Sequence, residues 1–173
     1  MRQLSISADK VIGLNDYPPL HSAKALAEYF EYFKKGDYHK MVPIPLIPIA
    51  VVLPYFVQDQ RLSAHLRAFE KFIYEHHVEY FQLDGKHRAS AAYLTRRKII
   101  GIVIENESDV IKTKVLKDSG KFGIENTFEG TIEELKKHFL KHPIKFWTVQ
   151  EKTEAMISNR DIPQYMVDYL RSK

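Results

Sequence analysis

The stretch from Phe81 to Leu94 constrains this chain most, because the backbone must change character within it. Val78 to Leu83 is a short run rich in apolar and aromatic residues, which predicts a strand. Ala89, Ala91, Ala92 and Leu94 are good helix formers, so a helix is expected directly afterwards. Asp84-Gly85 between them is a turn signal, and Gly85 lets the chain bend sharply and a ligand approach closely. Lys86, His87 and Arg88 then fall in the first helical turn. A helix start offers N–H groups and a partial positive charge to an anion, and basic side chains added there describe a phosphate site. The same residues also describe an ordinary strand–turn–helix junction whose basic side chains face water.

Leu83-Asp84-Gly85-Lys86-His87-Arg88-Ala89, followed by Ala91-Ala92-Tyr93-Leu94 and the apolar run Ile99 to Ile104, resembles the signature of the ParB/sulfiredoxin superfamily. Members carry a DG-x-HR or G-x-HR box between a strand and a helix. They include chromosome-partition proteins, sulfiredoxins and free-serine kinases, and the box binds nucleotide phosphates. The likeness is clearest over 78–105 and looser upstream, where Gly36 and the Val42–Leu53 segment keep the family order with a tripled proline element. It implies an α/β (α+β) fold, a mixed sheet flanked by helices.

By this resemblance, backbone N–H groups after Gly85 hold phosphates together with Lys86, His87 and Arg88. Arg88 is the strongest candidate for charge stabilisation, since a guanidinium stays ionised and binds in a bidentate way. Asp84 either orients the box or holds a metal, or simply caps the helix. The family's kinases carry an acid in the loop after the first strand, which makes Asp16 a candidate general base. The implied ligand is ATP or ADP with Mg²⁺, used for hydrolysis or for phosphoryl transfer to a small acceptor. The alternative is a DNA-binding or nuclease-like module of the partition type, and a third reading is an interaction protein that keeps only the fold. Sulfiredoxin chemistry is excluded, because Lys86 stands at the reactive Cys position and the chain has 0 Cys. Neither a P-loop nor a G-x-G-x-x-G motif is present.

On either side of this centre the elements are punctuated by Pro, Gly and capping residues. Leu4 to Leu14 suggests one or two short strands. A helix is expected over 21–35, with Ser22 as its cap and Gly36 at its end. Pro43, Pro45 and Pro48 forbid a helix, so the next segment is expected to be extended, running as an edge or barrel strand from about Ile47 to Leu53. A helix over 60–76, capped by Asp59, belongs to an insertion at about 54–77. Further helices are expected after the capping stretch Glu105-Asn106-Glu107-Ser108 to about Lys117, with Ile111 among the apolar positions, and from a capping box at Thr131 to His142. Two short helices over 150–158 and 163–171 close the chain, Pro163 in the first turn of the second. The domain reading is thus a nucleotide-binding core over 1–106 and a mostly helical extension over 107–173 packed on it.

Several features admit plainer readings. Arg96-Arg97-Lys98 suits a helix C-terminus as well as a phosphate backbone. His76-His77 also suits a helix end, and His138/His142 lacks the Glu of a zinc-protease motif, so no metal ligands are assigned. The C-terminal third shows no clear helix-turn-helix. The net charge of +4 permits nucleic-acid binding without arguing for it. No apolar run spans a membrane and the N-terminus lacks a signal pattern, so a cytoplasmic protein without a membrane partner is expected.

Overall fold

The computed structural model of the protein describes residues 1–14, 22–37, 41–118 and 127–172, with 114–118 described by backbone alone. Its centre is a mixed sheet of β1 (Gln3–Ile6), β2 (Val11–Ile12), β3 (Ile44–Pro48), β4 (Tyr80–Gln82) and β5 (Ile99–Val103), in the order β1-β5-β3-β4-β2. β1 runs antiparallel to β5 and β3 antiparallel to β4. The β3–β5 and β2–β4 pairs are parallel. Helices α1 (Ala23–Lys35), α2 (Ile49–Val57), α3 (Ser63–His76), α4 (Lys86–Leu94), α5 (Glu107–Asp118), α6 (Phe128–Lys141), α7 (Val149–Ser158) and α8 (Gln164–Arg171) surround it. This is the α+β architecture expected from the sequence. No helix among the described residues is long and apolar enough to cross a membrane.

Helices cover both faces of the central strands, which is why β2, β3 and β5 read as nearly continuous apolar runs. Neighbouring residues point to opposite faces. Val11, Leu46 and Tyr80 join one core with Phe30 of α1, Ala92 of α4, Met156 of α7 and Met166 of α8. Ile12, Ile47 and Phe81 join the other with Phe56 of α2, Phe69 of α3 and Phe139 of α6. In that second core Phe56, Phe69, Phe81, Phe139 and Phe146 lie with ring centroids 5.1–6.0 Å apart. Such stacked, tilted and edge contacts add about 0.5–1.5 kcal/mol per pair beyond burial. Helices from beyond residue 106 therefore complete both cores.

The proline segment departs from expectation. The strand is Ile44–Pro48, not 47–53, and it lies inside the sheet between β4 and β5 rather than at an edge. Pro45 contributes its carbonyl, accepting from Leu83 N–H at 3.0 Å, while the return bond cannot form. Residues 49–57 are helical because Ile49, Val52 and Phe56 bury one face at helical spacing. That packing overrides the strand preference of a β-branched run.

Other boundaries are corrected by caps. α6 begins at Phe128, because the Thr127 hydroxyl accepts from Gly130 N–H at 2.9 Å. Thr131, the expected cap, lies inside the helix and donates its hydroxyl to the Thr127 carbonyl. Asp59 caps a short 3-10 turn (Gln60–Leu62) that precedes α3. Pro163 stands at the cap of α8, one position before its first turn. Ile111 is 62% exposed on α5, so it is not a core position.

The start of α7 is anchored to the sheet. Thr148 and Glu151 form a reciprocal capping box there. Thr148 also bridges to Ile12, and Gly13 N–H donates to the Trp147 carbonyl at 3.0 Å. The first turn of α7 is thereby tied to the end of β2.

Gly101 tests the sheet register. A Cβ there would lie 2.4 Å from Cδ1 and 3.0 Å from Cγ of Leu46, whose side chain is fully buried. Gly101→Ala is expected to cost about 1–3 kcal/mol of folding stability through overpacking, read as a lowered urea midpoint. An unchanged midpoint would contradict the close packing of β5 on β3.

Candidate functional site

The junction between β4 and α4 has the predicted form. β4 ends at Gln82, the chain turns at Asp84-Gly85, and α4 begins at Lys86. Gly85 sits at the helix cap with φ of 83°, a conformation that favours glycine. No side chain caps this end of α4. The first helical bond runs from Ala89 N–H to the Gly85 carbonyl at 2.9 Å, so the N–H groups of Lys86, His87 and Arg88 precede the intrahelical ladder.

A pocket of about 120 Å³ opens at this junction. Asp84, Gly85 and Lys86 form one wall, Gly13 and Leu14 at the end of β2 another, and Val149 and Lys152 of α7 a third. Gln82 and Ser90 complete the lining. The tie between β2 and the α7 cap sets the second wall against the third.

The residues of the box divide into two groups. Asp84, Gly85 and Lys86 line the pocket; His87 and Arg88 are directed elsewhere. The His87 Nε2 accepts from Ser22 N–H at 3.3 Å, at the start of α1. A neutral ring must then carry its proton on Nδ1. Ser22 also caps α1, its hydroxyl accepting from Ala25 N–H. His87 thus fixes α1 against α4.

Arg88 is buried and holds the segment leading into β3. Its guanidinium donates to the carbonyls of Val42 and Pro43, the second at 3.3 Å. Asp84 Oδ2 lies 3.6 Å away. Burial pulls the guanidinium pKa below its ordinary value, opposed by the negative charge of Asp84. The same guanidinium underlies the turn, since a Cβ on Gly85 would come within 2.8 Å of it. Asp16 lies outside the described residues.

The pocket also contains residues that the sequence pattern does not single out. Gln82 is buried and donates from its amide to the Asp84 carbonyl at 3.0 Å. Ser90 is buried, with its hydroxyl 3.2 Å from that of Thr153 on α7. Lys152 is buried and its ammonium donates to the Leu14 carbonyl. A lone Gln in an apolar strand and a lone Ser in an alanine-rich helix are legible signals. Lys152 has none, because only the tertiary fold brings it to the box.

The remaining sequence features have structural roles here. Arg96 has φ of 56° and donates from Nε to the Leu170 carbonyl at 2.8 Å, closing the end of α8. His77 ends α3 with φ of 51°, its N–H donating to the Ile73 carbonyl. His138 and His142 pack ring to ring at 4.5 Å. Among the described residues no group of three or more His, Cys, Asp or Glu is arranged to hold a metal ion. The chain matches no family model, no curated protein and no solved structure.

Replacing Arg88 tests its role as a brace. Arg88→Met keeps the bulk but removes the donors to Val42 and Pro43. A loss of about 2–3 kcal/mol is expected in urea denaturation, the scale of hydrogen bonds made by a charged donor. Wild-type stability in this variant would contradict the bracing role.

Proposed function

We propose that this protein binds a nucleotide by its phosphates at the β4–α4 junction. The observation that carries the reading is the pocket itself. It joins the uncapped start of α4 to Lys86 and Lys152, while its acidic residue Asp84 is offset by Arg88. A helix start with cations around it favours an anion by both hydrogen bonding and field. At about 120 Å³ the pocket is smaller than the 300–1,000 Å³ or so that encloses a drug-sized ligand. A phosphate group fits that scale; a whole nucleoside does not.

ATP or ADP is the nucleotide class, and hydrolysis or phosphoryl transfer to a small acceptor is the activity. Lys86 and the N–H groups at the start of α4 bind the phosphate oxygens in this reading. Gly85 keeps the turn free of a side chain, so the ligand can reach the backbone. Arg88 acts through the turn that it braces and fixes the carboxylate of Asp84. His87 positions α4 against α1. Mg²⁺ is ordinarily held by one or two carboxylates together with the phosphates, and Asp84 supplies one at the pocket. When bound, the ion neutralises charge on the phosphate oxygens. The likeness of the box to the ParB/sulfiredoxin signature supports the same reading. The duplex-DNA alternative has less behind it, since Arg96 of the basic triplet is engaged by Leu170.

Titration calorimetry with ATP, ADP and CTP, with and without Mg²⁺, tests the proposal. Wild type is expected to bind, and Lys86→Met to bind about tenfold more weakly, as for loss of one charge-assisted contact. Absence of heat with every nucleotide would overturn the reading. Duplex binding that falls steeply with salt would favour the DNA alternative instead.

A further inference from the structure

A glutamine ends the otherwise aromatic strand β4, and its side chain lines the pocket although the residue is only 4% exposed. Gln82 Nε2 donates to the Asp84 carbonyl at 3.0 Å. A carbonyl only accepts, so this contact decides which end of the amide is nitrogen. Oε1 then lies on the side of Gly13, where a Cβ would stand 3.9 Å from it. Gly13 lines the same pocket. Among the described residues Oε1 accepts no hydrogen bond. A buried acceptor without a donor is costly, and a ligand that supplies the donor removes that cost.

Ser90, 5% exposed on α4, adds a second acceptor to the lining. The Thr153 hydroxyl has one proton and stands 2.7 Å from the Val149 carbonyl, which can only accept. The 3.2 Å contact between the Thr153 and Ser90 hydroxyls is then made with the Ser90 proton. Ser90 is left with lone pairs for the pocket.

A ligand therefore meets two unlike surfaces. The start of α4 and the charges of Lys86 and Lys152 favour negative oxygens through their field. Gln82 Oε1, Ser90 Oγ and the Asp84 carboxylate disfavour a bare oxygen but accept from an O–H. At about 120 Å³ the space brings a phosphate-sized ligand against both. An oxyanion that keeps a proton satisfies both surfaces, and one without a proton does not. Phosphates differ in this respect by position. A terminal phosphate holds a second proton that is lost at about pH 6. A phosphate bridged on both sides has no such proton near neutrality, and neither has sulfate.

We propose that Gln82 selects the terminal phosphate of the nucleotide in its protonated form, accepting the P–O–H at Oε1. This rests on phosphate binding at the β4–α4 junction and adds which phosphate enters the pocket.

The test compares inorganic phosphate with sulfate, which has the same shape and nearly the same size. At about pH 6 sulfate carries the larger charge, so the field alone favours sulfate. Each anion, and ATP, is titrated into the full chain with the Gly85 amide chemical shift as readout. Wild type is expected to bind phosphate about 10- to 100-fold more tightly than sulfate, the scale of one buried acceptor left unpaired. That comparison needs no substitution. Gln82→Met is expected to bring phosphate down to the affinity of sulfate, while sulfate changes by less than about threefold. Equal affinities in wild type, or tighter sulfate, would overturn the role of Gln82 and leave the anion reading intact. Equal weakening of both anions by Gln82→Met would overturn it too, since that is the mark of a structural role. ATP binding without phosphate binding would overturn entry of the terminal phosphate. Failure of phosphate, sulfate and ATP alike would remove the phosphate reading itself.

Discussion

Arg88 carries a full charge into a region closed to water, and the geometry of the box depends on how that charge is accommodated. Desolvation of a guanidinium is tolerated only where carbonyls and carboxylates surround it. The carbonyls of Val42 and Pro43 and the carboxylate of Asp84 do so here. These partners belong to two different parts of the site. The carbonyls hold the lead-in to β3, which is the centre of the sheet, and Asp84 belongs to the turn. The guanidinium also fills the space beneath Gly85, so the residue there has neither the room for a side chain nor the backbone for one. One buried ion thus joins sheet, turn and helix start.

The helices beyond residue 106 build outward from that centre. They complete the packing on each face of the sheet, and α7 adds the third wall of the pocket. Its placement is set by main-chain and capping contacts: Gly13 to Trp147, Ile12 to Thr148, and Thr148 with Glu151. These fix the first turn of α7 most firmly, and Lys152 lies in that turn. Structure and proposed chemistry therefore share the same contacts, so damage to the α7 cap should reach the pocket.

Much of this was legible in the sequence, for physical reasons that also explain the misses. The strand–turn–helix unit around Gly85 was readable because one residue with positive φ separates two opposite backbone preferences. α1 was readable because Ser22 and Gly36 mark both of its ends. The proline strand was misplaced because its β-branched continuation, Ile49 to Val52, has the composition of a strand and the burial spacing of a helix. α6 begins earlier than expected because Gly130 reads as a breaker, although its N–H is the group that Thr127 caps. In the site, composition pointed to the run Lys86-His87-Arg88, but it could not say which way each side chain turns. Helical geometry sends only Lys86 to the pocket, with His87 meeting α1 and Arg88 the strand lead-in. Lys152 could not be found by spacing at all, since its place depends on how α7 docks on β2.

The central claim is that an anion binds in the pocket at the start of α4. The most direct measurement is an amide chemical-shift map of the full chain during titration with inorganic triphosphate. The largest and earliest changes are expected on Gly85 to Ala89, with Leu14 and Lys152 moving at the same ligand concentration. Changes centred on Arg97, Lys98 and Arg171 instead, or none across the titration, would contradict it.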